Sequence, residues 1–385
     1  DYFNNSLKIN DKLSSYSSKE LIDFKISKKN KINIGFISSD IRSKHSVTYF
    51  LKSLLTSYNK DKFRIHLYHN HDLVDDDTVM EFNNYVSKHL YLSRLKDLDV
   101  INKIREDEID IMIDLNGFSS NHRLPLLKNR LAPTQVSWCG YTNTIGLNEM
   151  DYLMVDKNLI KPEEENFYSE KIIYLPNIWN CHSGYEEKRI NYNIPYNENK
   201  FITFGSFNNF LKINEEVIDV WSEILKKIKN SKLILKTSMA ISNDFMIEKF
   251  KKNGVLNSIE FLTFKKSFKD HLNLNKKIDI ALDTFPWNGV TTSFEAIWMG
   301  VPVITMKGFN FNSRCGESIN RSAKLENLIA ENKEDYINKA VSLAQNKIEL
   351  EKIRVNIYEN ALSTALFDKK KFCNEFFSAL EKIYN

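Results

Sequence analysis

Short apolar runs alternate with stretches of helical spacing along most of this chain. Lys31–Ser38 (KINIGFIS), Phe63–His69, Ile109–Leu115, Val136–Cys139, Tyr152–Val155 and Lys171–Leu175 are short, largely apolar runs of the kind expected for strands. Ser46–Tyr58 and Leu98–Glu108 between them repeat apolar residues at helical spacing. From Cys181 to Lys200 the pattern becomes irregular and polar, and then the alternation resumes. Phe201–Phe207, Lys232–Lys236, Ile259–Leu262 and Ile278–Leu282 are expected strands, with Leu325–Leu328 as a further short candidate. In Asn214–Ile228 the residues Val217, Val220, Trp221, Ile224, Leu225 and Ile228 share one helical face, and Lys333–Asn346, Lys347–Ser363 and Lys369–Tyr384 are expected helices. Strands alternating with helices predict an α/β fold with parallel sheets and right-handed crossovers. The expected division is a linker or helical lead-in over 1–30, α/β domains over 31–190 and 200–362, and a terminal helix over 363–385. The lead-in carries a serine cluster (Ser14, Ser15, Ser17, Ser18) and a short amphipathic stretch, Lys19–Ile26.

The most informative stretch is Ile278–Met306. An apolar strand ends on Asp283; a turn through Pro286, Asn288 and Gly289 follows, then Thr291 and Thr292, a helical run to Met299, the stop Gly300-Val301-Pro302, and a second strand, Val303–Met306. Such βαβ units bind ligands at the carboxyl ends of their strands. Here that end offers backbone N–H groups, two hydroxyls and the Glu295 carboxylate, a seat for the phosphates and ribose of a nucleotide. Threonines at a helix start also serve as caps with no ligand at all, so the stretch by itself leaves both readings open.

Composition narrows the classes. The chain has 385 residues, 42% of them hydrophobic, enough for two full cores. No apolar run approaches the roughly 20 residues of a membrane span, and the polar N-terminus has no signal-peptide pattern. A net charge of +4 makes nucleic acid an unsuited main partner. Four scattered cysteines without a CxxC pair argue against a zinc site or disulfide framework and make a cytoplasmic location the expectation. Asp75, Asp76 and Asp77 could suggest a metal site, but Asp and Thr are also favoured at helix starts, and no metal is expected.

Basic, hydroxyl and imidazole groups recur at strand ends. Phe207-Asn208-Asn209-Phe210-Leu211-Lys212 brings a lysine to the end of one strand, and His271 is expected to open the helix before the Ile278 strand. With Thr291, Thr292 and Glu295 they make a nucleotide-diphosphate set without a Walker-type loop. In the first half His45, Asp76, Arg123 and Gly140 lie on loops after strands. A lone loop histidine or strand-end lysine is more often a surface group; it is the joint placement at the ends of paired α/β strands that points to a site.

Several blocks together resemble the catalytic region of the O-GlcNAc transferase/SPINDLY-type glycosyltransferases. They are IGFISSD with HSVTYFL, LNGFSSNHRL, APTQVSWCGYTNTIGLNEMDYLMVD, FGSFNNFLKI, HLNLNKKIDIALDTFPWNGVTT and EAIWMGVPVITM, in the family's order from residue 31 to about 320. The resemblance implies a GT-B fold, two Rossmann-like domains facing across a cleft, the first on the acceptor side and the second on the nucleotide-sugar donor side, with the last helix returning to the first domain. It implies that Lys212 neutralises the donor diphosphate, Thr291 and Thr292 bind phosphates, Glu295 holds the ribose and His271 lies beside the base. Asn209, Asn288, Gly289 and Gly140 fall in the matching donor blocks. His45 corresponds to an active-site histidine, Arg123 to an arginine of a mobile loop, and Asp76 more loosely to an acidic residue once favoured as base.

Some positions depart from the family pattern. The Asp40–His45 loop is longer than in most relatives, Val290 replaces a histidine of the animal-type enzymes, and Leu211 stands where those carry a tyrosine. The large inter-domain insertion of animal enzymes and the tetratricopeptide repeats that usually precede this region are missing from the sequence, although repeats could lie upstream in a longer product. The resemblance therefore implies a bacterial or SPINDLY-like, metal-independent inverting enzyme acting on Ser/Thr hydroxyls of proteins. UDP-GlcNAc is the expected donor; GDP-fucose or UDP-glucose, or nucleotide-sugar binding without turnover, are the alternatives. A sugar-phosphate epimerase shares the domain type, but the FNNFLK and NGVTT blocks argue against it.

Overall fold

The structure, a computed structural model, describes residues 2–13, 15, 24, 29–72, 76–185, 194–237, 244–263 and 267–385. The chain forms two compact units, Asp1–Ser183 with Asp368–Asn385, and Gly184–Phe367. The expected amphipathic stretch at Lys19–Ile26 lies almost wholly outside the described residues, as does the middle of the polar stretch before Lys200.

The first unit holds β1 (Ile32–Ser38), β2 (Phe63–His69), β3 (Lys88–Tyr91), β4 (Ile111–Asp114), β5 (Thr134–Ser137), β6 (Tyr152–Asp156) and β7 (Lys171–Leu175). They form one sheet in the order β3-β2-β1-β4-β5-β6-β7. All pairs are parallel: Ile34 of β1 lies opposite Ile65 on one side and Ile111 on the other. The second unit holds β8 (Thr203–Ser206), β9 (Lys232–Thr237), β10 (Ile259–Thr263), β11 (Ile280–Leu282), β12 (Val303–Met306) and β13 (Ile329–Ala330), ordered β10-β9-β8-β11-β12-β13. Both sheets start in the middle, grow to one edge and then return to grow to the other. Each therefore has one switch point, between β1 and β4 and between β8 and β11, where ligand crevices form in such sheets.

The central strands β1, β4, β8 and β11 are short and almost wholly buried, as parallel strands covered on both faces must be. Helix Lys369–Tyr384 buries Phe372, Cys373, Phe376, Phe377 and Leu380. Phe376 meets Trp138 at 4.7 Å and Phe377 meets Phe63 at 4.6 Å, so the last helix completes the core of the first unit. Among the described residues no helix is long and apolar enough to cross a membrane, and all four cysteines are free.

Some elements differ from their sequence expectation. Leu325–Leu328 is not a strand: Glu326–Leu328 is a 3-10 turn, and only Ile329–Ala330 pairs with β12. The strand expected at Val136–Cys139 runs Thr134–Ser137, and Cys139 has φ 73°, which no strand tolerates. The helix expected at Leu98–Glu108 is Asp97–Glu106; Glu108, at φ 48°, has already left helical geometry. β3 (KHLY) has no apolar run because every residue in this edge strand is only half-buried.

Two histidines are wholly buried in the first unit. His182 stacks on Tyr49 at 4.7 Å, and His69 sits 5.7 Å from His89 and 5.6 Å from Tyr91. Burial pushes both imidazoles down to about 3. The unfolded chain therefore binds more protons below its ordinary histidine value of about 6.5, and stability present above that pH is lost as pH falls toward 3. Denaturant titrations at stepped pH should show this loss below 6.5, up to about 1.4 kcal/mol per pH unit for each histidine, opposed between about pH 6 and 4 by Asp114 and Asp283, whose buried carboxyls are raised to about 6. A His182→Phe variant should show a shallower fall.

Candidate active site

At the switch point of the second sheet, the turn after β11 is built around one carboxylate. Asp283 is 1% exposed. Its Oδ1 accepts from Gly289 N at 2.7 Å, Thr284 N at 2.9 Å and Asn208 Nδ2 at 3.3 Å, and its Oδ2 from Thr305 Oγ1 at 2.8 Å. Burial pushes this carboxyl up to about 6, against the pull of those donors and of Lys212. Gly289 is required by space: a Cβ there would come within 2.5 Å of Thr292 Oγ1 and 2.6 Å of Asn208 Oδ1. Asn288 donates to Thr284 O at 2.9 Å and accepts from Gly316 N at 3.1 Å, which fixes the turn from both sides.

Lys212 closes the 3-10 turn Phe210–Lys212 after β8, and Asn209 caps that turn by accepting from Leu211 N at 3.1 Å. The lysine Nζ donates to Asn288 O at 2.7 Å and lies 4.9 Å from the centre of the Trp287 ring. Burial lowers its basicity, and Asp283 opposes that. Helix Thr291–Trp298 has Val290 at its N-cap and no side-chain cap, so no capping side chain occupies its first N–H groups. Thr292 Oγ1 donates to Asn208 Oδ1 at 2.7 Å. Lys212, Asn288, Gly289, Thr291 and Thr292 lie on the turns after β8 and β11 and offer a cation, a helix start without a side-chain cap and the Thr291 hydroxyl, the Thr292 proton being given to Asn208. That set can hold a doubly charged anion such as a diphosphate.

His271 does not open its helix; Ser267 caps it and His271 stands in the last turn of Phe268–Asn273. Its Nε2 is 3.1 Å from Glu295 Oε2, with both side chains buried, so the two expected nucleotide contacts are hydrogen-bonded to each other.

The first sheet repeats the scheme. Asp114 ends β4, is buried, is pushed up to about 6 by that burial, and accepts from Gly117 N at 2.7 Å. Asn116 Nδ2 lies 2.7 Å from Ser39 Oγ and 3.0 Å from Asp40 Oδ2, tying the end of β4 to the end of β1. Gly140 packs on the same place: a Cβ there would stand 1.7 Å from Leu115 O. His45, the residue before helix Ser46–Leu55, has Nε2 3.5 Å from Asp40 Oδ1. Burial lowers its basicity, partly offset by Asp40.

Two further expected site residues are held by bonds of their own, Asp76 to the Asp40–His45 loop through Ser43. Asp76 caps helix Asp77–Phe82, accepting from Thr78 N, Val79 N and both the N–H and hydroxyl of Ser43. Burial alone would raise its carboxyl, but these bonds together hold it below the usual range. Arg123 donates to Leu92 O at 3.0 Å and pairs with Asp97. Sequence reasoning missed Asn208, Asn116, Asp40 and the structural weight of Asp283; the shared order Asp, then Asn-Gly, after β4 and β11 is the signal that could have found them. Among the described residues no group of three or more His, Cys, Asp or Glu is arranged to hold a metal ion.

Comparison with known proteins bears on this geometry. The profile of glycosyl transferase family 41 matches residues 11–185 and 185–376. A protein of Solanum lycopersicum described as a probable UDP-N-acetylglucosamine–peptide N-acetylglucosaminyltransferase SPINDLY is 33% identical over 359 residues, 91% of this chain and 38% of the relative. The Arabidopsis thaliana protein of the same description is 32% identical over 85% of this chain and 36% of its own. The chain thus spans well under half the length of these curated relatives. A mutant O-GlcNAc transferase of Thermobaculum terrenum superposes with a TM-score of 0.92 at 27% identity, over 99% of this chain and 73% of that one. A sucrose-phosphate synthase of Thermosynechococcus elongatus shares the fold alone, at 10% identity and a TM-score of 0.61.

Two substitutions separate the roles assigned above. Gly289→Ala should break the Thr292–Asn208 bond and cost about 1–3 kcal/mol in a denaturant titration. Asp76→Ala should cost about 1 kcal/mol as a lost helix cap, while leaving nucleotide binding, read by calorimetry, as in the parent chain.

Proposed function

The chain belongs to glycosyl transferase family 41, and from that premise we propose that it is an inverting glycosyltransferase moving N-acetylglucosamine from UDP-GlcNAc to Ser/Thr hydroxyls of proteins. Its two Rossmann-like sheets are those of the GT-B glycosyltransferases. The observation that carries the proposal is the Lys212 ammonium, part-buried against Asn288 O and Trp287 beside the uncapped start of helix Thr291–Trp298.

In the proposed reaction the acceptor oxygen forms a bond to the anomeric carbon as the bond from that carbon to the diphosphate oxygen breaks, which inverts the centre in one displacement. The hydroxyl proton passes to a donor phosphate or to water. The energetic difficulty lies in charge accumulating on the departing diphosphate. A preorganised cation and backbone N–H groups in a partly dry site stabilise that charge more than water does, because they need no reorganisation. Lys212 and the Thr291/Thr292 helix start supply this without a metal ion. His45, held near Asp40 and kept largely neutral by burial, positions groups around the acceptor.

Support for the donor comes from the printed descriptions of the plant relatives and the bacterial transferase. Purified protein incubated with UDP-GlcNAc, GDP-fucose and UDP-glucose, each with and without acceptor peptide, should release UDP from UDP-GlcNAc fastest. Lys212→Ala should lower that rate on the order of 10²–10³-fold, and a chelator should leave it intact. Equal rates for Lys212→Ala and parent, or faster release from GDP-fucose, would reject the site or the donor respectively.

A further inference from the structure

The candidate phosphate seat is assembled on a carboxylate that itself touches no phosphate ligand in the scheme above. Gly289, Thr284, Asn208 and Thr305 all donate to Asp283, and the Asp283 main-chain oxygen accepts from Tyr336 OH at 2.8 Å. Tyr336 belongs to helix Lys333–Gln345 and Thr305 to β12, so this one residue ties the turn to a neighbouring strand and a covering helix. The connection then continues outward. Asn208, its amide nitrogen donating to Asp283, offers its oxygen to Thr292 Oγ1 at 2.7 Å. Gly289 N–H, pinned at 2.7 Å, sets the chain direction just ahead of Thr291.

We propose that Asp283 is a positioning residue for the diphosphate seat, holding the Thr292 hydroxyl and the uncapped helix start in one geometry through Asn208 and Gly289. The proposal rests on the donor-binding reading of this site and adds the group that organises it. A negative charge beside an anion seat is otherwise unfavourable, because it repels the ligand. Its retention there follows from geometry: an ionised acceptor forms roughly twice the hydrogen-bond strength of a neutral one and can take several N–H donors at once. The two effects oppose each other, which makes them separable. A role through charge alone predicts that neutralising Asp283 tightens diphosphate binding, whereas a role through geometry makes the outcome depend on whether the replacement can still accept hydrogen bonds.

The test uses the full chain, with UDP and GDP binding read by calorimetry and uridine and guanosine binding by NMR titration. The parent is compared with Asp283→Ala, Asp283→Asn and Asn208→Ala. Asp283→Ala and Asn208→Ala should weaken the bound diphosphate by about tenfold or more, with nucleoside affinity within about twofold of the parent. Asp283→Asn, whose amide oxygen still accepts from N–H groups, should lose less than about threefold. Unchanged diphosphate affinity in the alanine variants overturns the proposal. So does equal behaviour of Asp283→Asn and Asp283→Ala, or nucleoside affinity falling in step with the diphosphate. If Asp283→Ala does not fold, Asn208→Ala, which leaves the carboxylate in place, decides by the same criterion. A parent chain that binds neither nucleotide overturns this proposal together with the donor reading; binding by the parent without discrimination among the variants overturns this proposal alone.

Discussion

Where the strand order of a parallel sheet reverses, neighbouring crossovers leave for opposite faces, and the ends of two adjacent strands are left uncovered. The backbone groups there still need partners, because an unpaired buried N–H or C=O is costly. Both sheets of this chain meet that constraint alike. An aspartate at the end of the fourth strand turns back on the following Asn-Gly turn, Asp114 to Gly117 N and Asp283 to Gly289 N, each at 2.7 Å. An asparagine on or beside the turn then bridges to the end of the first strand, Asn116 to Ser39 and Asp40, while Asn208 at the end of β8 reaches Asp283. The same local solution gives different surfaces: hydroxyls, a carboxylate and an imidazole on the first unit, a cation and a helix start on the second.

The second surface depends on keeping Lys212 charged while part of it is buried. Desolvation alone lowers the basicity of an ammonium group. The Asn288 carbonyl, the Trp287 ring face and the field of Asp283 each oppose that loss. Since Asn288 is itself fixed by Thr284 and Gly316, the position of the cation is set by the turn and not by the long flexible side chain that bears it.

Much of this was legible in the amino-acid order. The α/β class, most strands and the long C-terminal helices follow from apolar runs and helical spacing, which burial on both faces of a parallel sheet produces directly. Lys212, Thr291 and Thr292 were singled out because they lie on the polar turns that follow β8 and β11. What escaped had physical reasons. Edge strand β3 is half-buried and so carries no apolar signature. Helix Cys315–Ser322 has a mostly polar sequence and is nevertheless buried, because its polar groups find partners such as Asn288 and Val303 O. The pairing of His271 with Glu295 joins residues far apart in the chain, and no local pattern encodes it. The four donors that Asp76 collects, two of them from Ser43 far back in the chain, are likewise not written in its local sequence.

The last helix has a bearing on how the polypeptide is made. Lys369–Tyr384 supplies Phe372, Phe376 and Phe377 to a core whose other residues were synthesised before Ser183. During translation the amino-terminal lobe therefore emerges with an open apolar groove beside Trp138 and Phe63, which stays unfilled until the whole middle lobe has left the ribosome. A premature stop anywhere in that interval leaves the aromatic groove of the amino-terminal lobe without the helix that covers it.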